Sequence, residues 1–210
     1  MNEMNARQTA TLALVAVTTL ITLGIWMTGN LAFATTAMGF IAARIAGLDI
    51  TPAVPALLTP LSATLVHGDF LHLLMNVVLL AYCGRQVERV LGPLPLIAAY
   101  VIGAYAAAAG QFLLDPVSTV PMIGASGAIS AVVGAYAVSF GQPKKIVASF
   151  KINRWLNIAW LMAAWIVLQL MVGFLGGQRG MMIAIGAHVG GFIAGVLLQR
   201  PLLLWRYRRA

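Results

Sequence analysis

Six apolar stretches recur along the chain, at about Thr11–Met27, Phe70–Gly84, Leu94–Leu114, Ser126–Gly141, Asn157–Leu175 and Met182–Leu198, and no Asp, Glu, Lys or Arg falls inside any of them. A hydrocarbon core about 30 Å thick is crossed by about 20 helical residues. Only 9% of the 210 residues are charged and 61% are hydrophobic, whereas soluble domains carry roughly 25% charged residues. A chain so poor in charge cannot cover a water-facing surface. The expected fold is therefore an all-α membrane protein, a compact bundle of six transmembrane helices in one domain over residues 11–200. A short polar tail over 1–10 and a basic tail over 201–210 flank it. The first apolar stretch reads as a retained helix rather than a removed signal. The single cysteine, Cys83, rules out an internal disulfide framework and reads as a small apolar packer.

The stretch from about Thr28 to His67 breaks the pattern. It holds Arg44 and Asp49 and is interrupted by Pro52, Pro55 and Pro60, too polar for a span and too apolar for a solvated loop. A membrane-associated first loop is expected there. The net charge of +8 suggests nucleic acid until the charges are placed. With six spans, eleven basic residues fall on one side and only Arg44 and Arg179 on the other. The positive-inside rule then sets both termini in the cytoplasm, and attraction to anionic lipid headgroups accounts for the excess. No nucleic-acid partner is needed.

Polar side chains inside spans are functional candidates by default. Ser126 opens the fourth span within Pro121–Ala135, His72 and Asn76 share a face of the second, and His188 lies in the sixth. Counting at about 1.5 Å per residue from Gln142, Arg85 and Arg200 puts Ser126, His72 and His188 about 24, 20 and 18 Å from the basic side. All three share one layer. The fourth span is short, roughly 24 Å, so its outer end is recessed and the preceding loop dips in to meet it. Backbone of that kind is tolerated where protein buries it or water fills a cavity, and water is what a hydrolase needs. Small residues at Ser126, Ser130, Gly134 and Ala137 give the fourth span a smooth face, and Ala184, His188, Gly191 and Gly195 do the same for the sixth. Such faces permit close helix approach, which would bring Ser126 within reach of His188. An imidazole can take the proton that keeps a serine a weak nucleophile. His72, Asn76 and backbone N–H groups near Ser126 would then face the acyl oxygen.

With these residues in view, the chain resembles the rhomboid intramembrane serine proteases. Gly124-Ala125-Ser126-Gly127 matches their Gly-x-Ser-Gly motif and Ala187-His188-x-x-Gly191 their sixth-span motif. His67-x4-His72-x3-Asn76, continued by Gly84 to Glu88, matches their second-span signature. The resemblance implies that Ser126 is the nucleophile and His188 the base, a dyad without an acid. It also implies that His72 and Asn76 are oxyanion donors and that Gly191 lets the two helices meet, with Gly124, Gly127 and Gly195 as further close-packing glycines. The implied partners are transmembrane protein substrates and membrane lipids, and the implied location is a bacterial cytoplasmic membrane. Two positions depart from the family pattern. Leu58-Thr59 stands where many bacterial members have Trp-Arg, and Ser130 stands where many have a tyrosine stacked under the histidine, so something else must hold the His188 ring.

No metal or organic cofactor is expected, because three scattered histidines without carboxylate or thiolate neighbours make a poor ligand set. His67 is expected to tie down the first loop and Glu88 to pair locally with Arg85 or Arg89, while Trp160 and Trp165 either flank a lateral substrate entry or, as is commoner, face lipid or the interface. The alternatives are a non-catalytic rhomboid-like binder of membrane proteins and a small transporter. The transporter would be expected to carry paired repeats or intramembrane acids.

Overall fold

The computed structural model describes residues 9–141, 145–175 and 184–208. Gln142, Lys144, Arg179 and Met182, which carry part of the depth and topology reading, lie outside the described residues, as do Arg7 and Arg209. Among the described residues the backbone is helical, with no strand beyond one isolated bridge. Lipid offers no partner to a peptide group, so a helix that pairs every N–H and C=O within itself is the natural solution.

Five helices are long and apolar enough to cross a membrane. They are α1 (Thr9–Met27), a continuous rod over Phe70–Leu91, α7 (Pro93–Leu114), α9 (Phe150–Leu175) and α10 (Ile185–Tyr207). Within the rod, α5 (Phe70–Leu79) passes through one π-turn at Leu80–Gly84 into α6 (Arg85–Leu91). The expected short fourth span is α8 (Ser126–Phe140), whose 15 residues reach only about 22 Å. The helix ends differ from the apolar segments. α9 begins at Phe150 rather than Asn157, and α10 runs through Pro201 to Tyr207 rather than stopping at Leu198. Lys151, Arg154, Arg200 and Arg206 end the apolar runs, but charge does not interrupt backbone pairing.

α8 is the central helix: every residue in it is buried except Tyr136, Val138, Ser139 and Phe140. α7 and α10 clasp it through small residues. A side chain at Gly103 of α7 would meet Ala131 of α8, and one at Gly190 of α10 would meet the Ala106 carbonyl of α7.

The first loop contains α2 (Leu31–Met38), α3 (Ala42–Ile45), a 3-10 turn at Ala56–Leu58 and α4 (Thr59–Ser62). It docks onto the segment that leads into α8. Phe40 and Met122 exchange N–H···O bonds of 2.9 and 2.8 Å, Gly124 N–H donates to Ala63 O at 2.9 Å, and Ala43 N–H donates to Ser118 O at 3.0 Å.

Glu88 has a partner beyond the expected local ones. It is buried, and its carboxylate reaches the start of α1, accepting from Ala10 N–H (3.0 Å), Thr11 N–H (2.9 Å) and Thr11 Oγ1–H (2.6 Å). The first N–H groups of a helix have no partner within it, and an anion at that end also suits the helix dipole. Gly84 leaves room for this approach, since a Cβ there would lie 3.0 Å from Thr11 Cγ2. Glu88→Ala is expected to destabilise the bundle by about 1–3 kcal/mol for each buried donor left unpaired. Thermal unfolding of the detergent-solubilised protein would read this, and an unchanged midpoint would show that α1 is held by its apolar face alone.

Candidate active site

Ser126 is the first residue of α8, and the loop before it is shaped by Gly124. That residue has φ +105°, and a Cβ on it would lie 2.5 Å from His72 Nε2. An L side chain is disfavoured at such a φ, and here the His72 ring also fills the space. Gly124 is therefore a turn residue under a histidine, not the helix-packing glycine expected from the motif. The next peptide is fixed from the other side. Thr22 Oγ1 donates its only proton to Leu65 O (2.9 Å) and so accepts from His67 Nδ1–H at 3.0 Å, which leaves His67 Nε2 to accept from Ala125 N–H at 3.3 Å. Trp26 Nε1–H donates to His67 O at 2.9 Å. The fully buried His67 thus ties α1 to the loop before Ser126 as well as holding the end of the first loop.

Across the α8–α10 interface, Ser126 Oγ lies 2.8 Å from His188 Nε2. Both residues are buried. A serine that donates in this bond requires the proton of a neutral ring to sit on Nδ1, and Nδ1 of His188 is buried with no hydrogen-bond partner among the described residues. The helices meet backbone to backbone. A Cβ on Gly191 would run into the Gly127 carbonyl oxygen, one on Gly195 into the Ala131 carbonyl oxygen, and one on Gly134 into the Phe192 carbonyl oxygen. Gly127 itself faces α7, where a Cβ would lie 2.6 Å from Ala107 Cβ.

His72 and Asn76 sit on consecutive turns of α5, which Asp69 caps by accepting from His72 N–H at 2.8 Å. The Asn76 amide donates one N–H to His72 O at 2.8 Å, leaving its second N–H uncommitted by that bond. The N–H groups at the start of α8 are also free of intrahelical bonds, the first of which runs from Ile129 N–H to Ala125 O at 2.9 Å. A helix N-terminus favours negative charge. The arrangement can therefore offer donors to an oxyanion formed beside Ser126.

One neighbour of the Ser126–His188 pair differs from the sequence expectation. Trp165 of α9 is not lipid-facing: it is 4% exposed, its Nε1–H donates to Ser130 Oγ at 2.7 Å, and its ring meets that of His188 edge-on. Trp160 is 70% exposed, as expected. Two residues five apart lie about 140° apart around a helix, so the two tryptophans could not share one environment, and that spacing was the available signal.

A family model described as the Rhomboid domain matches residues 55–205. The chain is 32% identical over 146 residues to RHOMBOID-like protein 5 of Arabidopsis thaliana, covering 69% of this chain and 43% of that protein. It is 30% identical over 148 residues to RHOMBOID-like protein 4 of the same plant, covering 69% of this chain and 34% of that protein. The chain spans less than half the length of either relative.

Proposed function

The chain belongs to the rhomboid family, and on that footing we propose that it is an intramembrane serine protease that cuts peptide bonds in or near the transmembrane segments of membrane proteins. The observation that carries this reading is the 2.8 Å contact between Ser126 Oγ and His188 Nε2, buried in a bundle of apolar helices where an unneeded polar pair is costly.

In the proposed reaction, a substrate helix enters sideways from the lipid and unwinds locally, because a carbonyl held in a helical hydrogen bond presents poorly to a nucleophile. Ser126 Oγ attacks that carbonyl while His188 Nε2 takes the hydroxyl proton. The carbonyl oxygen gathers negative charge and is met by His72, Asn76 and the N–H groups at the start of α8. His188 then returns its proton to the departing amine, the C–N bond breaks, and the acyl group stays on Ser126 as an ester. Water, deprotonated by His188, hydrolyses the ester and restores the serine. The basic flanks support an orientation with both termini in the cytoplasm, in a bacterial cytoplasmic membrane, with anionic lipids around the basic ends.

The test is covalent labelling of the detergent-purified protein with a fluorophosphonate, which reacts with activated serines. Wild type is expected to be labelled and Ser126→Ala is not. Well-folded wild type that takes no label would overturn the catalytic reading in favour of a non-catalytic membrane-protein binder.

A further inference from the structure

Serine hydrolases usually hold the catalytic imidazole through a third group bonded to its Nδ1. Among the described residues His188 has no such group: its Nδ1 is buried and finds no hydrogen-bond partner there. The position where many family members place a tyrosine beneath this ring is Ser130, 0% exposed. The ring must therefore be held by packing, and the packing comes from another helix.

Trp165 touches His188 directly and reaches Ser126 only through Ser130. Its ring lies 6.3 Å from that of His188, centroid to centroid, with the planes 81° apart, a favourable edge-to-face arrangement for aromatic pairs. Its Nε1–H donates to Ser130 Oγ at 2.7 Å, and Ser130 Oγ–H donates to Ser126 O at 2.7 Å. One side chain thus packs on the base and is tied through a single hydroxyl to the backbone of the nucleophile. Its helix is otherwise lightly attached. Of the five long helices, α9 has the smallest share of its span buried, 17% against 22–39% for the others. Asn153, Ile158, Trp165 and Gln169 are its buried residues among those described.

We propose that Trp165 is a positioning residue that, given the catalytic reading above, keeps the His188 imidazole aligned with Ser126 Oγ through the Ser130 hydroxyl. Trp165 and Ser130 together do what a tyrosine at position 130 does elsewhere in the family. The dyad is then complete only while α9 is docked at the level of Trp165. An opening of α9 that admits substrate must spare this level or reverse before attack.

The test measures fluorophosphonate inactivation of the full chain as a maximal rate constant and a half-saturating concentration. Trp165→Ala is expected to lower the maximal rate on the order of 10²-fold, the scale of a misplaced catalytic group, with the half-saturating concentration unchanged. Trp165→Phe keeps a ring and loses the N–H; it is expected to recover part of the rate, and it stands in if the alanine variant fails to fold. Adding Ser130→Tyr to Trp165→Ala is expected to recover rate as well, whereas Trp160→Ala on the exposed face leaves it unchanged. A folded Trp165→Ala that reacts at the wild-type maximal rate overturns the positioning role alone. So does a loss confined to the half-saturating concentration, or recovery by neither Trp165→Phe nor the exchange. Wild type that does not react at all overturns the catalytic reading and this proposal with it.

Discussion

His188→Ala is expected to leave the bundle folded and to reduce cleavage of a transmembrane reporter by about 10⁴- to 10⁶-fold, and adding Ser126→Ala to it is expected to reduce cleavage little further. A single bond joins the two side chains, 2.8 Å from Oγ to Nε2. A serine hydroxyl reacts only as its proton leaves, so without the base the nucleophile is nearly inert. Without the nucleophile the base has no proton to take. Groups that act as one unit give non-additive losses. The residual rate should be what donors beside Ser126 and substrate binding provide alone. The measurement is initial rates in proteoliposomes for wild type, each single variant and the double, with thermal unfolding of each to show that the fold persists. Multiplying losses would mean that Ser126 and His188 act on separate steps, and a His188→Ala rate within tenfold of wild type would remove the imidazole from the reaction.

How much of this was legible in the sequence depends on which force decides each feature. The long helices and the short α8 were readable, because in lipid an apolar run of sufficient length has one stable form, whereas α2, α3 and α4 of the first loop were not. The ends of the long helices were not readable either: α9 starts at Phe150 and α10 reaches Tyr207, since the residues that end an apolar run are good helix formers outside it. Depth counting placed Ser126 and His188 in one layer but about 6 Å apart, whereas their side chains touch. Helix tilt and side-chain reach absorb the difference. The small-residue faces were read in part. Of the expected Ser126, Ser130, Gly134 and Ala137, Ser130 and Gly134 do meet α10, but Gly127 and Ala131 also present their carbonyls to Gly191 and Gly195, because neighbouring rows on a helix differ by a fraction of a turn. His67, Glu88 and Trp165 were misjudged in part or whole for one reason. Each owes its role to a partner far along the chain, respectively Ala125, the start of α1, and Ser130, and periodicity carries no information about those pairings.

The close approach of α8 and α10 gives the second large expectation. A Cβ on Gly195 would fall on the Ala131 carbonyl oxygen, with Ala131 C 2.6 Å and Ala131 Cα 2.7 Å away. These are backbone atoms, so no rotamer can relieve the clash and the helices must part. Association of helices in lipid depends on such packing rather than on a hydrophobic gain, and overpacking costs about 1–3 kcal/mol. Gly195 lies two turns from His188, about 10 Å along the axis, so a wedge there also draws Nε2 away from Oγ. Gly195→Ala is therefore expected to lower the thermal midpoint and, for the molecules still folded, to reduce the cleavage rate on the order of 10²-fold. Gly24, with nothing within 4 Å of a built Cβ, is the control: Gly24→Ala within α1 should lower neither. A fall in stability at an unchanged rate per folded molecule would mean that the α8–α10 contact holds the bundle together while other contacts, with Trp165 foremost, set the dyad. A loss of rate exceeding that of Trp165→Ala would instead make the glycine interface the chief determinant of where the base stands.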